Sequence, residues 1–282
     1  MRNDYQVRLN QMMKRLEEAE YILVGGGAGL SAAAGLDYTG ERFTNNFSSF
    51  IDKYGFTDLY SSSFYPFETQ EERWAYWAKH ISVNLYEIDA TKLYEDLYQL
   101  VKDKKYFVIT TNVESQFTKA GIPSDKVFEI QGNYGYLQCE RGCHQKLYYN
   151  ELVIKEMLEK TKDCRIPSSL VPKCPKCNGE MDVNLRHNEF FVQDDKWNQS
   201  DELYREFLQE AVDKKIVYLE LGVGFNTPGI IRYPFEKLTY HNKKATLIRF
   251  NKNDHQGFQE NKKKTITFTE DIQDTIMAIG KY

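Results

Sequence analysis

Apolar residues near the start of the chain recur at helical spacing: Val7, Leu9, Met12, Met13, Leu16 and Ala19 predict a helix over residues 5–20. The pattern then changes period. Tyr21-Ile22-Leu23-Val24 is a short continuous apolar run that ends in Gly25-Gly26-Gly27-Ala28-Gly29, and Ser31-Ala32-Ala33-Ala34 opens a helix behind it. Runs of the same kind recur at 106–110, 127–130, 216–221 and 245–250. Each is brief and apolar throughout, as a strand buried on both faces of a parallel sheet should be. Helical patterns at 91–101, 202–212 and 271–279 are interleaved with them. This alternation predicts an α/β fold, a Rossmann-like doubly wound parallel sheet.

Two segments break the alternation. Residues 40–90 are dense in Phe, Tyr and Trp and read as a helical insertion able to roof a cleft; residues 133–185 hold every cysteine and read as a small inserted module. The expected division is a nucleotide-binding domain from 1–132 and 186–282, carrying the helical insertion, and a zinc-binding module at 133–185. Residues 252–264 are polar and Lys-rich, an exposed loop or hairpin.

Composition narrows the function. Of 282 residues 41% are hydrophobic, which is enough for a folded core. Lys and Arg number 37 against 41 Asp and Glu, a net charge of −4, without the basic excess of a dedicated nucleic-acid binder. No run reaches the roughly 20 apolar residues of a membrane span, and the polar first residues lack the apolar core of a leader. The expectation is a cytoplasmic protein with neither nucleic acid nor membrane as partner.

The five cysteines are Cys139, Cys143, Cys164, Cys174 and Cys177. An odd number outside a secretory context argues against a disulfide framework. Cys139-x3-Cys143 and Cys174-x2-Cys177 instead suit one tetrahedral, structural Zn2+ with no open position for catalysis. His144 is not needed, since four thiolates complete the shell. Cys164, in Lys162-Asp163-Cys164-Arg165, reads as an exposed bystander.

Gly27-Ala28-Gly29, between a strand and a helix, suits a dinucleotide pyrophosphate, because glycine admits close backbone approach and the helix start offers free N–H groups. The stretch Gly27-Ala28-Gly29-Leu30-Ser31-Ala32-Ala33-Ala34-Gly35-Leu36 resembles the opening motif of the sirtuins, GAGxSxxxGI. Further motifs follow in sirtuin order: Thr110-Thr111-Asn112-Val113-Glu114 resembles TQNxD, Gln131-Gly132 stands in the place of HG, the four cysteines come next, Gly222-Val223-Gly224-Phe225-Asn226 resembles the GTS loop, and Leu247-Ile248-Arg249-Phe250-Asn251 resembles the LIN segment. The resemblance spans about residues 20–280 and implies NAD as substrate.

The departures from the pattern shape the expected chemistry. Gln131 replaces the histidine base, and a carboxamide takes no proton near pH 7. Leu36-Asp37-Tyr38-Thr39-Gly40-Glu41-Arg42-Phe43 displaces the arginine of PDFR, and Arg186 stands where the apolar acyl-lysine tunnel begins. These features resemble the macrodomain-linked sirtuins. That resemblance implies a protein ADP-ribosyltransferase that modifies a lipoylated carrier protein similar to glycine-cleavage H protein, with a macrodomain hydrolase to reverse the mark. It implies Asn112, Gln131 and Arg186 as catalytic residues. On the NAD side it implies Ala28, Gly29, Asp37, Arg42, Phe43, Asn112, Gln131, Gly222, Val223, Asn226, Arg249 and Asn251, with Arg42 as a phosphate clamp. NAD-dependent deacylation or NAD hydrolysis is the alternative, and a non-catalytic NAD or ADP-ribose sensor a third.

Overall fold

The structure, a computed structural model, describes residues 2–279. The chain divides into two compact units, one made of residues up to 35, 90–131 and 196 onward, the other of 36–89 and 132–195. Nine strands occur among the described residues: β1 (Tyr21–Gly26), β2 (Lys105–Thr110), β3 (Val127–Glu129), β4 (Gly132–Cys139), β5 (Tyr148–Tyr149), β6 (Met181–Leu185), β7 (Ile216–Leu221), β8 (Thr246–Phe250) and β9 (Thr265–Phe268).

The first unit is built on a parallel sheet in the order β3-β2-β1-β7-β8-β9. The chain lays β2 and β3 on one side of β1 and β7 to β9 on the other, so the order reverses between β1 and β7, the place where doubly wound sheets open a crevice at the strand C-termini. Alternate residues of β1 feed opposite faces: Ile22 and Val24 join one buried cluster with Leu16, Val108 and Leu219, while Tyr21 and Leu23 join another with Phe107, Tyr218 and Phe235. Both faces are covered, which is why the strands read as continuous apolar runs rather than alternating ones.

Two elements escaped the periodicity. β9 is a four-residue edge strand of alternating burial, too short to register as a run. It pairs with β8 in parallel, so residues 252–264 form a crossover and not a hairpin, as parallel strands require. The helix Arg232–His241 carries Pro234 inside its first turn, where the missing N–H has no intrahelical partner to lose. The helix expected at 202–212 begins earlier and runs Asp195–Glu210.

β7 and β8 bury charge at their shared register. Glu220 and Arg249 are Cα partners and both are fully buried. Arg249 holds Glu220 through Nε at 2.6 Å and Nη2 at 2.9 Å, and reaches Glu236 through Nη1 at 2.8 Å. Arg232 adds a second cation to Glu220 at 3.4 Å. Burial pushes the Glu220 carboxyl up and the arginines oppose that shift.

The second unit combines the helices Gly40–Tyr54, Gln70–Ile81 and Glu151–Lys160 with an antiparallel sheet in the order β5-β4-β6. The aromatic segment 40–90, read above as part of the nucleotide-binding domain, is grouped here with the cysteine segment. Its rings are core: Phe47 packs on Phe50 and Tyr76, and Phe56 on Tyr76, with centroids 5.5 to 6.1 Å apart. Among them His80 is fully buried, with Nδ1 3.0 Å from the Tyr76 hydroxyl and Nε2 2.9 Å from that of Tyr134. Tyr76 also donates to the Leu59 carbonyl, which makes His80 Nδ1 the donor and Nε2 the acceptor. Cys164 is 5% exposed, so it is a buried thiol and not an exposed one.

Two consequences are measurable. Arg249→Met leaves the buried Glu236 without a cation and Glu220 with Arg232 alone at 3.4 Å, and is expected to cost about 3–5 kcal/mol in denaturant unfolding. Burial, and then the charge of Arg42, depress the folded His80 pKa to about 3. The unfolded chain binds that proton near pH 6.5, so the contribution of neutral His80 is complete above pH 6.5 and is lost as pH falls toward 3, at up to about 1.4 kcal/mol per pH unit. Stability measured across this window should fall less steeply for His80→Gln, whose neutral amide takes no proton in this range.

Candidate functional site

At the C-terminal edge of the parallel sheet a crevice of about 630 Å³ opens, lined within the first unit by the glycine turn after β1, the 222–227 loop after β7, residues 250–254 after β8 and 269–272 after β9. That volume suits a small organic ligand. The turn and the 222 loop touch backbone to backbone. Gly27 N donates to the Leu221 carbonyl at 3.0 Å and Gly29 N to the Gly222 carbonyl at 2.9 Å. Gly222 has φ +62°, and a Cβ there would overlap the backbone of Gly29 and Leu30.

Of the expected NAD-side residues, Ala28, Gly29, Gly222, Val223, Asn226 and Asn251 line this crevice. Ala28, Gly29 and Asn226 are exposed to it, whereas the Val223 side chain is buried. Asn251 shapes the loop: its Nδ2 donates to the Val223 carbonyl at 2.9 Å and its Oδ1 accepts from the Asp254 backbone N–H at 2.7 Å. Arg249 is a correction. Side chains alternate faces along a strand, and its guanidinium lies inside the ion network described above rather than in the crevice. Thr111, Asp254, Glu270 and Asp271 line the crevice and were not anticipated. The last two follow β9, the strand that the apolar pattern hid.

Asn112 sits just beyond β2 in a network of hydroxyls. Its Nδ2 donates to the Gly27 carbonyl at 3.0 Å, to Ser31 Oγ at 2.9 Å and to the Tyr94 hydroxyl at 3.2 Å. Ser31 Oγ in turn donates to Glu114 Oε1 at 2.5 Å. With the amide hydrogens committed, Oδ1 is the group Asn112 retains for a ligand. Glu114 is 5% exposed and also accepts the Val113 N–H, so it is an interior anchor rather than a solvated acid. Burial, reinforced by Glu114, holds the Tyr94 hydroxyl well above its ordinary pKa, so it stays a donor.

Gln131 lies just beyond β3, half-buried, with Oε1 enclosed and without a hydrogen-bond partner among the described residues. An enclosed acceptor with nothing donating to it is costly unless a ligand supplies the donor. Gly27, Asn112 and Gln131 thus follow the C-terminal ends of three adjacent strands, β1, β2 and β3.

The other expected residues belong to the second unit. Asp37 is exposed. Arg42 is engaged locally, donating to the carbonyls of Asp37 and Val83 at 3.1 and 3.0 Å and to Asn84 Oδ1 at 3.0 Å. Phe43 is a second correction: its ring is 2% exposed and stacks on Phe47 in the core. Arg186 follows β6, exposed, with its guanidinium 4.4 Å over the Phe191 ring.

Cys139 closes β4, Cys143 follows the turn at Gly142, and Cys174 and Cys177 share a knuckle in which Asn178 N donates to the Cys174 carbonyl at 2.8 Å. All four Sγ atoms lie within 4.8 Å of one another. Cys139–Cys177 are 3.7 Å apart and Cys143–Cys174 3.6 Å. Four sulfurs about 2.3 Å from a tetrahedral zinc stand about 3.8 Å apart, so this donor set fits Zn2+. Burial works against the Cys174 thiolate, but the backbone N–H groups of Cys177 and Lys176 outweigh it and bring its pKa to about 7. His144 Nδ1 lies 3.1 Å from Cys143 Sγ, beside the cluster rather than in it.

A sequence model of the Sir2 family matches residues 27–218. A Staphylococcus aureus relative, named Protein ADP-ribosyltransferase, is 37% identical over 262 residues, covering 93% of this chain and 83% of the relative. A Fusarium oxysporum f. sp. cubense relative, named Probable bifunctional ADP-ribose hydrolase/ADP-ribosyltransferase, is 32% identical over 258 residues; the match covers 88% of this chain and 43% of that protein. Solved structures share the fold. A Sir2 protein with a p53 peptide and NAD+ aligns with TM-score 0.60 at 22% identity, and Sir2Tm bound to a propionylated peptide with 0.58 at 20%, each over 97% of both chains.

The cysteine cluster makes a direct prediction. Purified protein should carry about one zinc per chain by elemental analysis. Cys174→Ser should lose most of it, and a strong chelator should lower the melting temperature of the wild type but not of the variant.

Proposed function

The chain belongs to the Sir2 family, and on that premise we propose that it is an NAD-dependent protein ADP-ribosyltransferase, cytoplasmic, whose acceptor is a lipoylated carrier protein similar to glycine-cleavage H protein. The observation that carries this reading is Gln131. A deacylase of this family needs a base at that position, and a carboxamide supplies none. Transfer to an acceptor that is already anionic needs no base. The bacterial and fungal relatives named for ADP-ribosyl transfer support the same choice. The fungal protein, of which this chain spans under half, carries a hydrolase in its name, consistent with a macrodomain hydrolase as functional counterpart here.

In the proposed reaction NAD binds with its pyrophosphate at Ala28 and Gly29 and its adenosine side along the 222–227 loop. The bond from ribose C1′ to nicotinamide breaks, the electron pair leaves with nicotinamide, and the acceptor's lone pair forms the new bond to C1′. Positive charge builds on the ribose in the transition state, so the residues orient and polarise rather than move protons. Asn112 Oδ1 positions the nicotinamide ribose, and the unpartnered Gln131 Oε1 accepts from a ribose hydroxyl. Arg186, permanently charged, orients an anionic acceptor. Asp37 and Arg42 hold the segment that borders the NAD. The four cysteines hold Zn2+ as a structural element of the 133–185 module, and the nucleotide is bound by the unit of residues up to 35, 90–131 and 196 onward.

Labelled NAD, lipoylated and unlipoylated carriers and an acetyl-lysine peptide test this together. Label is expected on the lipoylated carrier only, with nicotinamide released in equal amount, and Asn112→Ala should slow transfer about a hundredfold. Robust deacetylation of the peptide, or nicotinamide release with no labelled protein, overturns the reading in favour of a deacylase or an NAD glycohydrolase.

A further inference from the structure

The edge of the parallel sheet opposite the nucleotide crevice holds a second concavity, of about 550 Å³. Its floor is the first residues of β7, β8 and β9, including Ile216, Val217, Thr246 and Ile266. Strands of this length separate the two openings by about 15–20 Å. The walls are cationic. Eight of the chain's 37 Lys and Arg residues line it, with Glu18 the one carboxylate among the lining residues.

Some of these charges are already engaged. Lys14 and Arg15 share Glu18 at 3.9 and 3.5 Å. Lys264 donates to the carbonyls of Thr239, Tyr240 and Asn242, at the end of the helix Arg232–His241. Lys215, Lys243, Lys244, Lys262 and Lys263 make no ion pair and no side-chain hydrogen bond among the described residues. Glu20, next in sequence to the lining residue Ala19, accepts the Lys215 backbone N–H. Eight cations against two carboxylates is a concentration of like charge in a chain whose net charge is −4. Like charges held together destabilise the folded state until a counter-ion joins them.

We propose that this concavity binds a compact oligophosphate, at a site separate from the NAD crevice. The shape favours a small ligand over a macromolecule, since the volume falls in the range of small-molecule pockets. The lining contains no aromatic side chain, so it offers bases no stacking platform, which sets it apart from a single-strand nucleic-acid groove. Lysine ammonium groups are point-charge phosphate donors and need no fixed fork geometry. The phosphate chain is the recognised chemistry, whether free or part of a nucleotide.

Calorimetric titration of the full chain with inorganic tripolyphosphate, at fixed ionic strength, tests the proposal. The NAD crevice can also attract phosphate, so the reading is the difference between wild type and concavity variants. Saturable binding is expected, weakened about tenfold or more by Lys243→Glu/Lys263→Glu. Lys243→Gln/Lys263→Gln should give an intermediate loss, and Lys155→Glu/Lys162→Glu, elsewhere on the surface, none. With ATP as ligand, affinity equal to tripolyphosphate supports recognition of the phosphate chain alone, and tighter binding lost in the same variants supports recognition of a nucleotide. Absence of binding, binding indifferent to Lys243 and Lys263, or equal affinity for polyglutamate or duplex DNA overturns the proposal.

Discussion

Backbone meets backbone where the turn after β1 crosses the turn after β7. Gly27 and Gly29 donate to the carbonyls of Leu221 and Gly222. A Cβ on Gly27 would come within 2.7 Å of the Gly222 oxygen, and one on Gly29 within 2.8 Å of the Gly222 Cα. Three glycines therefore set the distance between the two central strands at their C-terminal ends. The crevice exists because the strand order reverses there, and its depth exists because no side chain fills it. Asn112 takes its position from the same turn, through the Gly27 carbonyl and Ser31. A change in this contact would move the glycine turn and the Asn112 network together.

The buried ion network supports the same edge from below. Arg232 donates to the carbonyls of Asp254 and Gln256 at 2.6 Å, and Arg249 to that of Gln256 at 3.0 Å. These arginines hold the start of the crossover after β8, whose residues 252–254 line the crevice. Gly257 lies so close that a Cβ there would meet Glu236 and Arg249. Buried charge is expensive, and replacing such a cluster by apolar residues often stabilises a fold. Here the arginines do what an apolar residue would not, satisfying carbonyls of an irregular loop that has no ladder of its own. Arg249 thus serves the site through the loop it anchors rather than by reaching a ligand.

The core of the sheet was legible because burial on both faces writes itself into sequence as short apolar runs, and β7 begins and ends where its run does. β9 was not, because an edge strand of four residues with alternating burial resembles any polar loop with two apolar residues. That omission hid Glu270 and Asp271 from the site. The cysteines were legible by spacing, since two close pairs admit few other uses. Arg249 and Phe43 were misplaced for one reason: a motif gives a residue's position along the chain, while its side chain can point to either face of the strand or helix that carries it. Cys164 reads as a surface residue from its polar neighbours, yet tertiary packing encloses it.

Gln131 is where local physics bears most on the proposed chemistry. A buried imidazole in this position would exchange a proton with its ligand, and its charge would vary with pH. A carboxamide presents fixed dipoles of either sign and keeps them at every pH near neutrality. Its enclosed Oε1, without a donor among the described residues, is unsatisfied until a hydroxyl arrives. That deficit favours a ligand bearing hydroxyls and gives nothing to one that needs deprotonation. In the transfer proposed above, such a site would stabilise charge developing on the sugar ring and leave nucleophilicity to the acceptor. Selectivity then rests on what the acceptor brings, which is why an anionic partner suits Gln131 better than a neutral amide does.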